Sequence, residues 1–222
     1  MKKDLGIRTW NIRTLYKDGA LKNLIDVFVK YNIDILAIQE IRWLGIGILG
    51  KKKKTAISTT SCQEKAHHFG VDFIMSKRLR NAGIDFEAIS MRLCKNRLKG
   101  KYYNTTLICA HAQTNEKDDA EKDLLYDLFM KSYDSCPAQD MRLVIVDFNA
   151  KIGKERFIRS HAGHNSLHND TNGNGQRLFE FAVSENMLIA STAFPHKEIH
   201  KYTWISPDGL TLNQIDHVLT CR

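Results

Sequence analysis

The sequence has few of the features that mark domain linkers, membrane spans or secretion signals. It contains three prolines in 222 residues and no glycine- or serine-rich tract, so nothing marks a domain boundary. No stretch reaches the roughly 18 apolar residues that a membrane-spanning helix needs. The opening Met-Lys-Lys-Asp leads straight into a strand-like run and not into the apolar core of a signal peptide. We therefore predict a single domain over 1–222 with no membrane association.

Cysteine is present in a pattern that does not suggest disulfide bonds. The five cysteines form no C-x-x-C pair; they are Cys62, Cys94, Cys109, Cys136 and Cys221. An odd number of cysteines without a secretion signal indicates reduced thiols. This predicts an intracellular protein, nuclear or cytoplasmic, and not a secreted one.

Charge is strongly biased towards the positive sign. The formal net charge is +8 and the isoelectric point is near 9.2. Such an excess favours a polyanionic partner, with nucleic acid as the first candidate. The alternative is a basic soluble protein without such a partner, and charge alone does not separate the two.

Hydrophobic periodicity predicts mixed helices and strands. Apolar residues at helical spacing predict three helices, over 18–31, 118–134 and 174–186. Apolar or alternating runs predict strands over 5–10, 33–39, 71–76, 86–93, 102–111, 141–148, 188–192, 202–205 and 215–221. The strands 71–76, 86–93 and 102–111 suggest an antiparallel meander, and 43–69 suggests a surface loop. Together these elements predict an α/β sandwich and not a regular βαβ wheel.

Polar residues follow the apolar, strand-like runs at separated positions. Asn11 and Glu40 each close such a run, and Asp147 with Asn149 closes another. Asp216 lies at the beginning of the last predicted strand, 215–221. Carboxylates and amides at strand ends can converge and hold a hard metal ion against a phosphate. The alternative for any one of them is an ordinary turn residue, but that reading predicts no coherent set.

Four motifs containing these residues resemble those of the endonuclease/exonuclease/phosphatase superfamily. They are Thr9-Trp-Asn-Ile12, Ile38-Gln-Glu40, Asp147-Phe-Asn149 and Gln214-Ile-Asp216. Further segments, such as Asp147-Phe-Asn-Ala-Lys-Ile-Gly153 and Thr203-Trp-Ile205, are similar to the endonuclease domain of LINE-type (RTE-like) retrotransposons and the craniofacial development protein 2-like family. The resemblance runs from about residue 5 to 222. It implies a two-layer β-sandwich flanked by helices, the DNase I-like fold.

The resemblance also implies metal-dependent cleavage of phosphodiester bonds in DNA by a monomer without a small-molecule cofactor. Glu40 would bind Mg²⁺, with Mn²⁺ as a substitute, helped by Asn11, because hard cations prefer oxygen ligands. Asp147 would orient or deprotonate the attacking water, and Asn149 would bind the scissile phosphate. Asp216 would orient a catalytic histidine.

Three further residues have both a functional and a structural interpretation. His111 lies where the superfamily often has a tyrosine that contacts phosphate, but a partly buried strand histidine is as plausible. Trp204 would form a wall of the pocket, or belong to the core. Asn174 would contact nucleic acid, whereas a turn with a helix N-cap explains Asn172 and Asn174 equally well.

The resemblance to the superfamily implies that an Asp-His pair follows some 20 or more residues beyond Asp216. The sequence ends at Arg222, so the fold is expected to be C-terminally truncated. His217 cannot replace this histidine because it alternates to the opposite face from Asp216. We therefore expect weak or absent cleavage, with a non-catalytic nucleic-acid-binding remnant as the alternative. A phosphatase or lipid phosphodiesterase fits the basic charge less well.

Two other clusters are not assigned to the site. His161, His164 and His168 resemble zinc ligands, but they lie in a predicted loop without a nearby cysteine. Lys51 to Lys54 could contact DNA phosphates, although a solvated loop tip is the simpler interpretation.

Overall fold

The computed structural model describes residues 4–42, 46–47, 55–60, 70–114 and 116–222, with backbone alone for 46–47 and 55–60. The chain separates into two compact units, residues 1–111 and 112–222. The single domain expected over 1–222 stays a prediction. Lys51–Lys54, Cys62 and most of the predicted 43–69 loop lie outside the described residues, whereas the other four cysteines are free thiols.

The first unit opens with a strand–helix–strand element and continues into a five-stranded sheet. Its elements are β1 (Ile7–Asn11), α1 (Ala20–Lys30), β2 (Ile35–Gln39), β3 (Ile46–Gly47), β4 (Thr55–Thr60) and β5 (Val71–Ser76). The sheet order is β1-β2-β5-β4-β3, and β1 is parallel to β2. Leu24, Ile25 and Phe28 form the buried stripe of α1, packed in one cluster with Leu36 and Ile38 of β2. This apolar stripe explains why the helix and β2 were predictable.

The rest of the first unit is an antiparallel meander that differs from the predicted one. It consists of β6 (Gly83–Ser90), β7 (Leu93–Leu98) and β8 (Thr105–His111). The sequence predicts one strand over 86–93, a range that in the structure includes the turn between β6 and β7. It also predicts β5 as part of the meander. Both assignments are wrong, because the chain turns at 91–92 and β5 pairs with β2 and β4.

The two sheets of the first unit pack face to face. The Gln39 amide lies 3.4 Å from the Cys109 thiol, and that thiol is 3.9 Å from the Ile38 carbonyl. Cys109, Ile38 and their neighbours are buried. Within residues 4–111, this packing confirms the predicted two-layer arrangement of strands.

The second unit combines two long helices with a short antiparallel sheet. Its elements are α2 (Asp119–Asp134), β9 (Met141–Asp147), α3 (Gly173–Ser184), β10 (Met187–Ile189), β11 (Trp204–Ile205), β12 (Leu212–Asn213) and β13 (Asp216–Cys221). Strands β10, β13 and β9 are neighbours in that order, and β11 pairs with β12 as a separate hairpin. Phe129 of α2 packs against Phe181 of α3, with ring centroids 4.3 Å apart.

The predicted helices and most strands of the second unit are confirmed within about two residues, as assignment methods commonly differ. The strand expected over 188–192 ends earlier, because Ala190–Thr192 forms a turn of 3-10 helix. Strand β12 was not predicted. No helix in the described part of the chain is long and apolar enough to cross a bilayer.

Candidate functional site

Asn11 and Glu40 meet at the carboxyl ends of β1 and β2. The two strands are parallel and Asn11 pairs with Gln39, so the next residue, Glu40, emerges beside Asn11. The Asn11 side-chain amide donates a 2.9 Å hydrogen bond to Oε1 of Glu40. The Asn11 Oδ1 accepts the backbone N–H of Arg13 at 3.0 Å. Parallel pairing therefore brings together the two residues that sequence reasoning assigned to metal binding.

The Glu40 carboxylate lies in a positively charged environment. Arg42 contacts Oε2 at 2.5 Å, and Nε2 of His111 is 3.8 Å from Oε1. Burial acts to raise the pKa of Glu40, but hydrogen bonds from Asn11 and Arg42 outweigh it and hold the pKa below its ordinary value. Glu40 is therefore an ionised oxygen donor at neutral pH.

Unusual backbone conformations coincide with these polar positions. Glu40, Arg42 and Asn149 have φ values of 55°, 56° and 49°, in the left-handed region that non-glycine residues seldom adopt. For Glu40 and Arg42 this conformation costs on the order of 1 kcal/mol each, which the surrounding structure must compensate. The backbone of the turn after β2 is therefore held in a conformation that its residues do not prefer, and this conformation sets the direction of their side chains.

His111 ends β8 as a buried histidine with a defined set of neighbours. Its Nδ1 is 3.4 Å from the guanidinium of Arg92, which also donates to the His111 carbonyl at 3.2 Å. Because a guanidinium can only donate, Nδ1 is the acceptor and the ring proton resides on Nε2, the nitrogen that faces Glu40. His111 thus belongs to the Glu40 cluster, and its phosphate contact stays a prediction.

Asp147 and Asp216 are direct cross-strand partners in the second unit. Strands β9 and β13 are antiparallel, and their register pairs Asp147 with Asp216. Asp147 is buried and Asp216 is partly buried. Two carboxylates placed opposite each other on neighbouring strands disfavour ionisation of both at once.

The environment of Asp216 favours its protonated form. Burial, followed by the negative charge of Asp147, raises its pKa to about 8, although a hydrogen bond from Thr203 works in the opposite direction. The Thr203 hydroxyl also accepts the backbone N–H groups of Ile215 and Asp216, at 3.1 and 3.2 Å. Thr203 therefore fixes the start of β13, where Asp216 lies.

Asn149 lies in a loop held by the beginning of α3. Its side-chain amide donates to the Ala112 carbonyl at 3.0 Å. Asn172 donates to the Asn149 carbonyl at 3.2 Å and caps α3 by accepting the Gly175 N–H at 2.7 Å. Asn174, only 1% exposed, donates to the carbonyls of Gln113 and Phe148 at 2.9 and 3.1 Å. These hydrogen bonds show that Asn174 supports the loop, and its contact with nucleic acid stays a prediction.

The remaining predicted positions are placed as follows. Trp204 is half-buried in β11 and pairs with Asn213, directly after Thr203. His217 is fully buried on the opposite side of β13 from Asp216, as predicted from alternation. Its ring contacts Ser191 and the Ala150 carbonyl at 2.8 and 2.9 Å, and burial lowers its pKa to about 4.

Sequence reasoning missed three residues that support these groups. Arg42 and Arg92 contact Glu40 and His111, and Thr203 binds the backbone of Asp216. Arg42 lies only two residues after Glu40, but the left-handed backbone at both residues could not be read from the sequence. Arg92 and Thr203 reach their partners through strand pairing, which no local pattern reveals.

A bound divalent cation would find oxygen donors of suitable chemistry in the first unit. Glu40 supplies an ionised carboxylate and Asn11 an amide oxygen, the hard ligands that Mg²⁺ prefers. Within the described residues, no three His, Cys, Asp or Glu side chains cluster as a complete protein-only metal site. Mg²⁺ commonly binds through one or two carboxylates with water and substrate phosphate, so this donor set fits such a mode.

Comparison with known proteins identifies relatives in sequence. Craniofacial development protein 2 of Bos taurus is 33% identical over 221 residues, which is 100% of this chain and 36% of that protein. The protein of the same name from Tragulus javanicus is 32% identical over 221 residues, 100% of this chain and 38% of its own length. The chain thus spans little more than a third of the curated relatives it matches. No family model matches the sequence.

Comparison with solved structures identifies the fold. The endonuclease domain of TRAS1, a telomere-specific non-LTR retrotransposon, matches 99% of this chain and 86% of its own, with a TM-score of 0.63 and 11% identity. An AP endonuclease from Leishmania major matches 96% of this chain and 78% of its own, with a TM-score of 0.65 and 15% identity. These likenesses show the predicted α/β fold of the endonuclease/exonuclease/phosphatase superfamily.

Proposed function

We propose that this chain, which has the fold of the endonuclease/exonuclease/phosphatase superfamily and is similar in sequence to craniofacial development protein 2, is a magnesium-dependent DNA endonuclease of retrotransposon origin. The observation that carries the proposal is Glu40, an ionised carboxylate at the end of a buried strand, fixed by Asn11. The proposed setting is a monomer inside the cell, in the nucleus or cytoplasm.

The first unit supplies the proposed metal ligands. Glu40, with Asn11, would hold Mg²⁺, and Mn²⁺ would substitute. When bound, the cation neutralises charge that develops on the phosphoryl oxygens. Arg42 contacts Glu40 and Arg92 contacts His111, and the Nε2–H of His111 is a donor suited to a phosphate oxygen.

The second unit supplies the proposed base and an oxyanion donor. Asp147 would accept a proton from the attacking water, since a carboxylate within hydrogen-bond reach can act as a general base. Below about pH 8, Asp216 is protonated, so it adds no second negative charge beside Asp147. Asn149 uses one amide N–H to bind Ala112, and its second N–H is the donor proposed for the phosphate.

Nicking of supercoiled plasmid DNA tests the proposal. We expect slow conversion to the open circle with Mg²⁺, no conversion with EDTA, and loss of this slow activity in Glu40→Ala and Asp147→Ala. Removal of one member of a catalytic unit usually costs several orders of magnitude in rate. Activity that persists in both variants would show that a different site, or a contaminant, cleaves the DNA.

A second candidate function, nucleic-acid binding without efficient cleavage, is favoured by the surroundings of Asp216. Among the described residues, no histidine is hydrogen-bonded to its carboxylate. His168 instead accepts the Gln214 N–H at 3.0 Å, and His217 contacts Ser191 and Ala150. DNA binding by a chain that does not nick would support this candidate over the endonuclease.

A further inference from the structure

A short turn of 3-10 helix over Arg156–Ser160 displays an exposed phenylalanine between two arginines. Ile158 is fully buried and anchors the turn, whereas Arg156, Phe157 and Arg159 are exposed. Phe157 leaves 55% of its surface open to solvent. We call these three exposed residues the 156–159 patch.

The aromatic ring of the patch is held in a fixed orientation. Phe179 of α3 packs edge-to-face against Phe157, with ring centroids 5.7 Å apart and an interplanar angle of 81°. Phe179 also contacts the His161 ring at 6.4 Å. A ring that already packs against a neighbouring ring loses less conformational entropy when it stacks on a further ring.

The patch carries positive charge that its neighbours do not neutralise. Within the described residues, no carboxylate forms an ion pair with Arg156 or Arg159, whereas Arg42, Arg78 and Arg177 are all paired. The adjacent Glu155 is directed away, because its carboxylate accepts the N–H and hydroxyl of Thr171 at 2.6 and 2.9 Å. The exposed Lys154 adds to the same basic surface.

We propose that the 156–159 patch is a second contact for DNA, at which the arginines bind backbone phosphates and Phe157 stacks on an unpaired base. Guanidinium groups beside an open aromatic face are the combination that binds single-stranded nucleic acid. A single exposed ring is too small for a stable protein interface, which buries on the order of 800 Å² on each partner. The inference rests on the proposed function in one respect only: it takes DNA as the polyanion that the arginines bind.

Fluorescence anisotropy with labelled oligonucleotides tests the arginines, with EDTA present so that no cleavage occurs. We expect Arg156→Gln/Arg159→Gln to bind a single-stranded oligonucleotide roughly tenfold more weakly than the wild type. The slope of log K against log salt should fall by about 1.4, the loss expected for two phosphate contacts on a single strand. The control Lys22→Gln/Lys30→Gln removes the same charge from the exposed face of α1 and should bind nearly like the wild type.

Variants of Phe157 test the stacking contact. Phe157→Ala should weaken single-strand binding roughly fivefold or more and leave duplex binding nearly unchanged, because paired bases are not available to stack. Phe157→Trp should retain the affinity. Unchanged unfolding midpoints in urea would show that each variant is folded.

The outcomes separate this inference from the proposed nuclease activity. If the double arginine variant binds DNA like the lysine control, the patch is not a DNA contact, whatever the result of the nicking assay. If binding depends on the patch and no nicking occurs, the inference stands and the endonuclease proposal fails. Patch-dependent binding to anionic vesicles, with none to DNA, would overturn the inference in favour of a membrane surface.

Discussion

The pairing of Asp147 with Asp216 is the clearest electrostatic departure in the second unit. Burial and the opposing carboxylate raise the pKa of Asp216 from an ordinary 3.8 to about 8. Between these values the folded chain binds the proton more tightly than the unfolded chain does. Stability attributable to this group therefore falls as the pH rises from about 4 to 8.

The first prediction follows from this loss of stability with rising pH. Asp216→Asn should be more stable than the wild type at pH 9, by about 1 to 3 kcal/mol, and should differ little from it at pH 4. Urea denaturation at both pH values measures the difference. Asp26→Asn, at an exposed carboxylate on α1, serves as the control and should show no such gain. A gain of equal size at both pH values would contradict the electrostatic explanation.

Arg42 competes with any cation for the Glu40 carboxylate. Its guanidinium lies 2.5 Å from Oε2, and its buried Nε has no hydrogen-bond partner among the described residues. Replacing Arg42 removes a positive charge beside the proposed metal ligand, so the local potential becomes more favourable for Mg²⁺.

The second prediction is that Arg42→Gln tightens Mg²⁺ binding by roughly three- to tenfold, as the Coulomb interaction near a protein surface suggests. Glu40→Gln should lose the binding. Isothermal titration calorimetry measures both without DNA. Arg13→Gln removes the same charge from an exposed neighbour that does not contact Glu40, and should change the affinity less. Weaker binding in Arg42→Gln would mean that Arg42 orients Glu40 as a ligand.

The beginning of α3 determines the position of the loop after β9. Asn172 and Asn174 together donate to the carbonyls of Gln113, Phe148 and Asn149. Part of the stabilisation from these hydrogen bonds is offset, because Oδ1 of Asn174 is buried without a hydrogen-bond partner among the described residues. Helix α3 therefore supports Asn149 through its first turn.

The third prediction concerns this support. Asn174→Ala should lower the free energy of unfolding by about 1 to 2 kcal/mol, because it leaves buried carbonyls unsatisfied while also removing the unpaired Oδ1. Gln176→Ala, on the exposed side of the same helix, should change it by less than about 0.5 kcal/mol. Urea denaturation of the two variants gives the comparison. Equal effects would show that Asn174 contributes no more than a surface residue.

The elements that sequence predicted well are those with a strong local signal. Leu24, Ile25 and Phe28 repeat at helical spacing, and the Ile35–Gln39 run is buried throughout, so α1 and β2 could be placed. The turn between β6 and β7 carries neither glycine nor proline, so 86–93 was joined into one strand. The pairing of β5 with β2 joins strands that are distant in sequence, and no pattern within Val71–Ser76 indicates it.

The same distinction applies to the candidate site. Asn11 and Glu40 could be grouped because each ends an apolar run, and parallel pairing then makes them neighbours. Cross-strand register, which a single sequence does not give, places Asp147 opposite Asp216 and brings Thr203 to the start of β13. The raised pKa of Asp216 results first from burial and then from the opposing Asp147, and neither could be anticipated from the sequence.

The charge of the whole chain makes a fourth prediction about DNA binding. With a net charge of +8, affinity should come largely from the release of counterions condensed on the DNA. If about four phosphates are neutralised, the duplex association constant should fall by roughly two orders of magnitude between 50 and 200 mM salt. Anisotropy titrations over this range measure the slope, and an uncharged peptide nucleic acid of the same sequence is the control. Binding that is insensitive to salt, or equally strong for the uncharged strand, would show that contacts other than phosphate neutralisation dominate.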